Sequence, residues 1–217
     1  MEPLVVQGDD PKNDSAPAPS RVRPASAVND DLVGAQGAEP ALDENGYPTD
    51  PIAEVAPGLF QADTTYSPIQ LFYQGFDAVF DLCGINRGDG VTEEVYVAHP
   101  IDDVPWLTDP GAIDQLAAQA TELLRAGAKV AVNCMSGLNR SGLLVGRTLI
   151  DLGHTPTQAV ELVRRARGPH ALSNRAFVRW LLIDCTPRSL AERAREPGSY
   201  DYTGPTPRSR SGIEPAP

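Results

Sequence analysis

The run KVAVNCMSGLNRSG, residues 129–142, constrains this chain more than any other stretch. A short, mostly apolar segment leads into Cys134, a loop with Gly137 at its middle follows, and Arg140-Ser141 opens the next element. An apolar run of that length is the mark of a strand covered on both faces. Beyond the loop, Leu143, Leu144, Val145, Leu149, Ile150 and Leu152 surround a helix almost completely. A helix that is apolar nearly all round belongs at the centre of a core. The loop therefore joins a buried strand to a buried helix.

The neighbouring sequence supplies the rest of a sheet and its cover. Residues 58–62 read as a short strand, and Ser67-Pro68 as a helix start with Ser at the N-cap and Pro at the first helical position. Residues 77–83 form a strand closed by Gly84, residues 86–90 are rich in turn formers, and residues 94–101 read as another strand. Asp109-Pro110 repeats the cap-then-proline start, and Ile113, Leu116, Ala117, Ala120, Leu123 and Leu124 share one helical face until Gly127. Thr155-Pro156-Thr157-Gln158 has capping-box spacing and opens a helix to Gly168. A last helix is expected over residues 173–184 and a short one over 191–195. Strands alternating with helices, followed by a cluster of helices, predict an α/β fold with a central, mostly parallel sheet flanked by helices.

Composition divides the chain. Residues 1–50 hold seven of the 21 prolines and carry ten acidic against three basic side chains. Such a segment buries too little apolar surface to offset its conformational entropy, so it is expected to be a disordered acidic arm. Residues 51–190 read as the one folded domain, and residues 191–217 as a helix end and a second disordered tail rich in Pro, Gly, Ser and Arg. The net charge of −11 argues against nucleic-acid or anionic-membrane partners, which need a positive footprint. The N-terminus has the look of no signal peptide, and no run reaches the length of a membrane span. Cys83, Cys134 and Cys185 are too few and too widely spaced for a secreted disulfide framework or a zinc site. A cytoplasmic protein is expected, of unspecified oligomeric state.

With three cysteines and 16 arginines, a Cys–Arg pair at the C-x5-R spacing is not rare; about one such chain in five would carry one by chance. The context carries the signal. The backbone N–H groups of Met135, Ser136, Gly137, Leu138, Asn139 and Arg140 can curl around an anion, and the positive end of the following helix adds to their pull. The Arg140 guanidinium offers a planar fork for two phosphate oxygens. These groups are expected to favour Cys134 as a thiolate, placed below a bound phosphate for in-line attack on phosphorus. Ser141 can hydrogen-bond the sulfur and make it a better leaving group. Cleavage also needs a proton for the departing oxygen, and Asp102 and Asp103, on the loop after the strand at 94–101, are the carboxylates best placed to give it. The residues alone do not choose between the two.

The stretch YVAHPIDD, the cysteine loop and a final ALSNRAFVRWL together resemble the dual-specificity subgroup of the cysteine-dependent protein tyrosine phosphatases, over roughly residues 54–185. The resemblance implies a two-step mechanism without metal or other cofactor, through a cysteinyl-phosphate. It implies Asp103 as the acid, with Asp102 in reserve, and a phosphorylated protein as substrate: phosphotyrosine, with phosphoserine and phosphothreonine as further substrates. It also suggests that Cys83 acts as a redox partner capturing oxidised Cys134, against plain core packing, and that Asn174 braces a loop near the site. In one respect the chain departs from that family: Asn133 stands where a His usually precedes the nucleophile.

Other readings share the loop. The form C-x-x-G-x-N-R-S-G also resembles RNA 5′-triphosphatases, phosphoinositide phosphatases share the scaffold, and a non-catalytic phosphate-binding module or a rhodanese-type sulfur transferase would use the same cradle. Arg164, Arg165, Arg167, Arg175 and Arg179 read either as a pocket rim that attracts an anion or as a solvated helical face. His170, in a Gly-Pro-His sequence, reads as a turn residue.

Overall fold

The computed structural model describes residues 39–84 and 95–185. The expected turn at 86–90, the start of the strand at 94, the short helix at 191–195, the tail after it and residues 1–38 of the acidic arm lie outside them. The elements run β1 (Ile52–Ala56), β2 (Leu59–Ala62), α1 (Pro68–Tyr73), β3 (Ala78–Asp81), β4 (Val95–Ala98), α2 (Pro110–Arg125), β5 (Val130–Asn133), α3 (Arg140–Asp151), α4 (Pro156–Arg167) and α5 (Arg175–Arg179), the last continuing into a π-helical turn, Trp180–Asp184.

Five strands form one sheet in the order β1-β2-β5-β3-β4. The β1–β2 pair is antiparallel; β2–β5, β5–β3 and β3–β4 are parallel. The sheet is thus mostly parallel, as the alternation of strands and helices predicts. Strand β1 is the element that sequence reading misses. It is a five-residue strand behind Pro51, turned by Pro57-Gly58, with Gly58 at φ +77° and its N–H donated to Glu54 Oε1 at 2.9 Å.

On β5, Val130 and Val132 point into the large core shared with α2, α3 and α4, while Ala131 points to a smaller cluster of Leu71, Phe72, Phe76 and Val79 under α1. Alternate side chains of a strand face opposite sides, so both faces of the sheet are covered, and β5 is buried at every position. Helix α3 is buried from Ser141 to Ile150 and packs between α2 and α4. Its one charged core residue, Arg147, is 2% exposed and reaches Asp114 of α2 and Asp151, each at 2.6 Å. Burial works against that charge, but Asp151, Cys185 and Asp114 together outweigh it and leave the Arg147 pKa raised.

Three helices start as the sequence indicates. Ser67 and Thr155 make complete capping boxes with Gln70 and Gln158, and Asp109 accepts from the Ala112 N–H, each followed by proline. The expected last helix is a five-residue α-helix that widens into the π turn, with Leu181 resting on Gly146 of α3, where a Cβ would stand 3.0 Å from Leu181 Cδ1.

Of the acidic arm expected over residues 1–50, residues 39–50 are among the described ones. Residues 42–48 turn back through a Leu42–Pro48 bridge. Tyr47 stacks on His170 with centroids 4.4 Å apart, and His170 Nε2 lies 2.9 Å from Asn45 O. An aromatic stack and a shared polar contact give even an acidic segment a surface to hold, and they make His170 the seat of that contact as well as a turn residue. Among the described residues, no helix is long and apolar enough to cross a membrane.

Candidate active site

The parallel strands bring the chemistry-bearing loops to one edge. In the registers of β2, β5, β3 and β4, Ala62, Asn133, Asp81 and Ala98 form one row at the carboxyl ends of the strands. Cys134 stands one residue beyond that row, with the segments after Ala62, Asp81 and Ala98 beside it. Crevices outside the carboxyl ends of such strands are where α/β sheets bind ligands.

Cys134 is 2% exposed, and its Sγ lies 3.2 Å from Ser141 Oγ in the first turn of α3. The loop between them is held from behind by residues far off in sequence. Gln61 of β2 is fully buried, and its Nε2 donates to Gly137 O at 3.0 Å, Leu138 O at 3.3 Å and Ser141 Oγ at 3.2 Å. Arg167, 1% exposed, donates Nε to Gly137 O at 3.1 Å and Nη1 to Asp50 O. Thr64 Oγ1 donates to Met135 O at 3.2 Å. The carbonyls of Met135, Gly137 and Leu138 are thus taken up from this side, and within the loop the Gly137 N–H donates to Cys134 O at 3.2 Å.

Gly137 is the residue at which the loop tolerates no side chain. Its φ is +62°, and a Cβ would stand 2.7 Å from Arg167 Nη2 and 2.8 Å from the backbone at Ala62 and Asp63. Both the left-handed backbone and the contact with β2 require glycine.

Arg140, the first residue of α3, donates Nη1 to Ile101 O at 3.2 Å; its Nε is buried and has no hydrogen-bond partner among the described residues. Helix α3 has no side-chain cap at its N-terminus, because the side chain of its N-cap residue, Asn139, is turned to the acid loop instead. Asn139 Nδ2 donates to Asp103 Oδ2 at 3.0 Å, and Asn174 Nδ2 donates to Asp103 Oδ1 at 2.8 Å. Asp103 is therefore brought against the loop, whereas Asp102 is exposed with no such tether shown.

No family model matches the chain. Over 75 residues the chain is 36% identical to the RNA/RNP complex-1-interacting phosphatase of Rattus norvegicus, a match covering 32% of this chain and 23% of that protein. The chain thus matches under a quarter of the length of that curated relative. Among solved structures, a mouse dual specificity phosphatase complexed with zinc tungstate superposes with a TM-score of 0.54 at 25% identity, over 60% of this chain and 84% of that one. Human DUSP28 superposes with a TM-score of 0.54 at 23% identity, over 66% of this chain and 94% of that one. The chain has the dual-specificity phosphatase fold.

Within that fold, Asn133, the residue in place of the usual His, is 2% exposed, and its Oδ1 is buried without a partner among the described residues. An amide carries no titrating charge, so this position adds none beside Cys134. Cys83 follows β3, with its N–H on Asp81 Oδ1 at 2.9 Å. Burial pushes the Cys83 thiol up, the Arg140 guanidinium pulls it down, and the proximity of Cys134 raises it again. Cys83 and Cys134 follow the paired strands β3 and β5, and both are free thiols.

The arginine cluster divides. Arg167 is no rim residue but a buried brace, and burial lowers its pKa. Arg164 donates to Ala171 O at 3.3 Å and Leu172 O at 3.2 Å. Arg165, Arg175 and Arg179 are exposed. Gln61 is the scaffold residue that sequence reading misses: a glutamine in an apolar strand segment carries no signal of its own, and its only mark was polarity where the pattern called for an apolar side chain.

Proposed function

We propose that the protein is a phosphatase that hydrolyses phosphotyrosine monoesters, with phosphoserine and phosphothreonine esters as further substrates, through a cysteinyl-phosphate intermediate. The observation that carries this reading is Cys134 Sγ at 3.2 Å from Ser141 Oγ, inside a loop whose carbonyls are tied back and whose Arg140 Nε is buried without a partner among the described residues. A buried guanidinium N–H without an acceptor is costly unless an anion takes it. The fold and the relatives support phosphatase chemistry at coarser grain.

In the first step the Sγ thiolate of Cys134 attacks phosphorus. The S–P bond forms as the ester P–O bond breaks, and the proton on the Asp103 carboxyl passes to the leaving oxygen. The loop N–H groups, the uncapped end of α3 and Arg140 carry the charge on the equatorial oxygens. In the second step Asp103, now a carboxylate, takes a proton from water as the water oxygen bonds to phosphorus. The S–P bond breaks, and the Ser141 hydroxyl stabilises the departing thiolate. Cys83 is the candidate redox partner of Cys134.

The test is hydrolysis of p-nitrophenyl phosphate in the presence of a chelator, with wild type and Cys134→Ser. Turnover by wild type and none by the variant is expected; turnover retained by Cys134→Ser rules the mechanism out. A second reading, removal of the γ-phosphate from RNA 5′-triphosphate ends, draws on the name of the rat relative and on the spelling of the loop. The net charge of −11 weighs against a broad grip on RNA. Phosphate release from triphosphate-ended RNA, measured beside release from a phosphotyrosine peptide, decides between the two.

A further inference from the structure

Residues 42–50 lie against the turn that joins α4 to α5. The segment is shaped by its own contacts: Asp43 Oδ1 accepts from the Asn45 and Tyr47 N–H groups at 2.9 Å each, and the Thr49 N–H donates to Ala41 O at 2.9 Å. Besides the stack of Tyr47 on His170, the two backbones approach closely. A Cβ on Gly168 would stand 2.8 Å from Leu42 Cδ2, and one on Gly46 would stand 3.3 Å from His170 Nε2. At the end of the segment, Asp50 O accepts from Arg167 Nη1. The other side of the same turn bears on three successive residues of the phosphate loop. Arg167 Nε donates to Gly137 O at 3.1 Å, the Leu172 N–H to Leu138 O at 3.3 Å, and Ser173 Oγ to Asn139 Oδ1 at 3.2 Å. Leu172 makes its contact from a left-handed backbone, φ +54°, the one positive φ outside glycine among the described residues.

A leucine stays in that conformation only where its surroundings hold it. Arg164 does so from within, through Ala171 O and Leu172 O, and the segment at 42–50 does so from without, through His170 two residues earlier. Resting on the phosphatase reading above, we propose that residues 42–50 are a positioning strap for the phosphate loop, pressing the turn at 168–172 against it. What this does for a phosphate follows from peptide geometry. In a trans peptide the C=O and the N–H point in opposite directions. A donor on Gly137 O therefore turns the Leu138 N–H away from the turn, and a donor on Leu138 O does the same for the Asn139 N–H. With the strap released, Leu172 relaxes and its N–H leaves Leu138 O, on which Gln61 alone remains. The two loop N–H groups then spend less time in the orientation that receives phosphate. The strap acts on anion affinity without touching the anion.

The test is the affinity of the full chain for inorganic phosphate, measured by calorimetry well below the melting temperature of each variant, beside turnover of p-nitrophenyl phosphate. Tyr47→Ala removes the stack, and Tyr47→Phe keeps the ring. A loop in its binding geometry about a tenth of the time binds about 10-fold more weakly, which is the loss expected of Tyr47→Ala, while Tyr47→Phe should stay within about 2-fold of wild type. On p-nitrophenyl phosphate, Tyr47→Ala should raise KM more than it lowers kcat. His170→Ala added to Tyr47→Ala should cost nothing further, because both remove one contact. Leu42→Ala, which leaves the stack in place and removes the contact on Gly168, should weaken phosphate in the same sense and gives the reading if Tyr47→Ala does not fold. A lower melting temperature with unchanged phosphate affinity would mean that the segment serves the fold alone and would overturn the strap, as would equal losses in Tyr47→Ala and Tyr47→Phe. A wild type that binds inorganic phosphate and turns nothing over would sink the phosphatase reading, and the binding arm would still decide the strap. A wild type that does not bind inorganic phosphate would overturn both.

Discussion

At the scale of the residue, Cys134, Arg140 and Ser141 were legible as candidate site residues because they sit together in one short stretch. Asp103 was legible only with Asp102 as its equal until the family resemblance separated them, and the structure tethers Asp103 through Asn139 and Asn174. Gln61 and Arg167 were not legible as loop braces, because each acts on Gly137 across long stretches of chain that no spacing rule connects. A further buried titratable residue lies away from the site. His154, between α3 and α4, is 8% exposed, and burial lowers its pKa from the usual 6.5. The unfolded chain therefore binds a proton at His154 more readily than the folded one. The stability this neutral histidine contributes is present above pH 6.5 and is lost as the pH falls below it, towards the lowered folded value. The melting temperature should accordingly fall between pH 7 and pH 5, and His154→Gln should flatten that slope. An unchanged slope in the variant would place the acid sensitivity elsewhere.

At the scale of the element, the sequence showed the helices best where a capping side chain stands before a proline, as at Ser67, Asp109 and Thr155. It showed β1 not at all, because a short strand between two prolines offers too few residues for alternation to register. The π turn after α5 was equally hidden, since the docking of Leu181 on Gly146 is a tertiary contact. Strand pairing is also what brings two cysteines together. The parallel β3–β5 register places Asp81 opposite Asn133, so the segments that follow carry Cys83 and Cys134 to the same edge. A thiolate exposed to peroxide forms a sulfenic acid, which loses water to a neighbouring thiol as a disulfide forms. Peptide mapping after mild peroxide should find Cys83 joined to Cys134, with activity restored by dithiothreitol. Over-oxidation of Cys134 with Cys83 still free would count against the pairing.

At the scale of the whole molecule, the sheet fixes where chemistry is done. Four strand ends share one row, so Cys134 after β5, Asp103 after β4 and Gln61 on β2 meet without any long excursion of the chain. The acidic balance of the chain is met locally by Arg140 and by backbone N–H groups, which suits a small phosphorylated group better than an extended polyanion. The central claim is that phosphate passes through Cys134. Ser141→Ala removes the hydroxyl that stabilises the departing thiolate and leaves the first step with its nucleophile, acid and cradle. After brief reaction of this variant with a phosphotyrosine peptide and an acid quench, intact-mass and peptide analysis should find one phosphoryl group on Cys134, accumulated well above the wild-type level. Continued release of phosphate with Cys134 never phosphorylated would contradict the account.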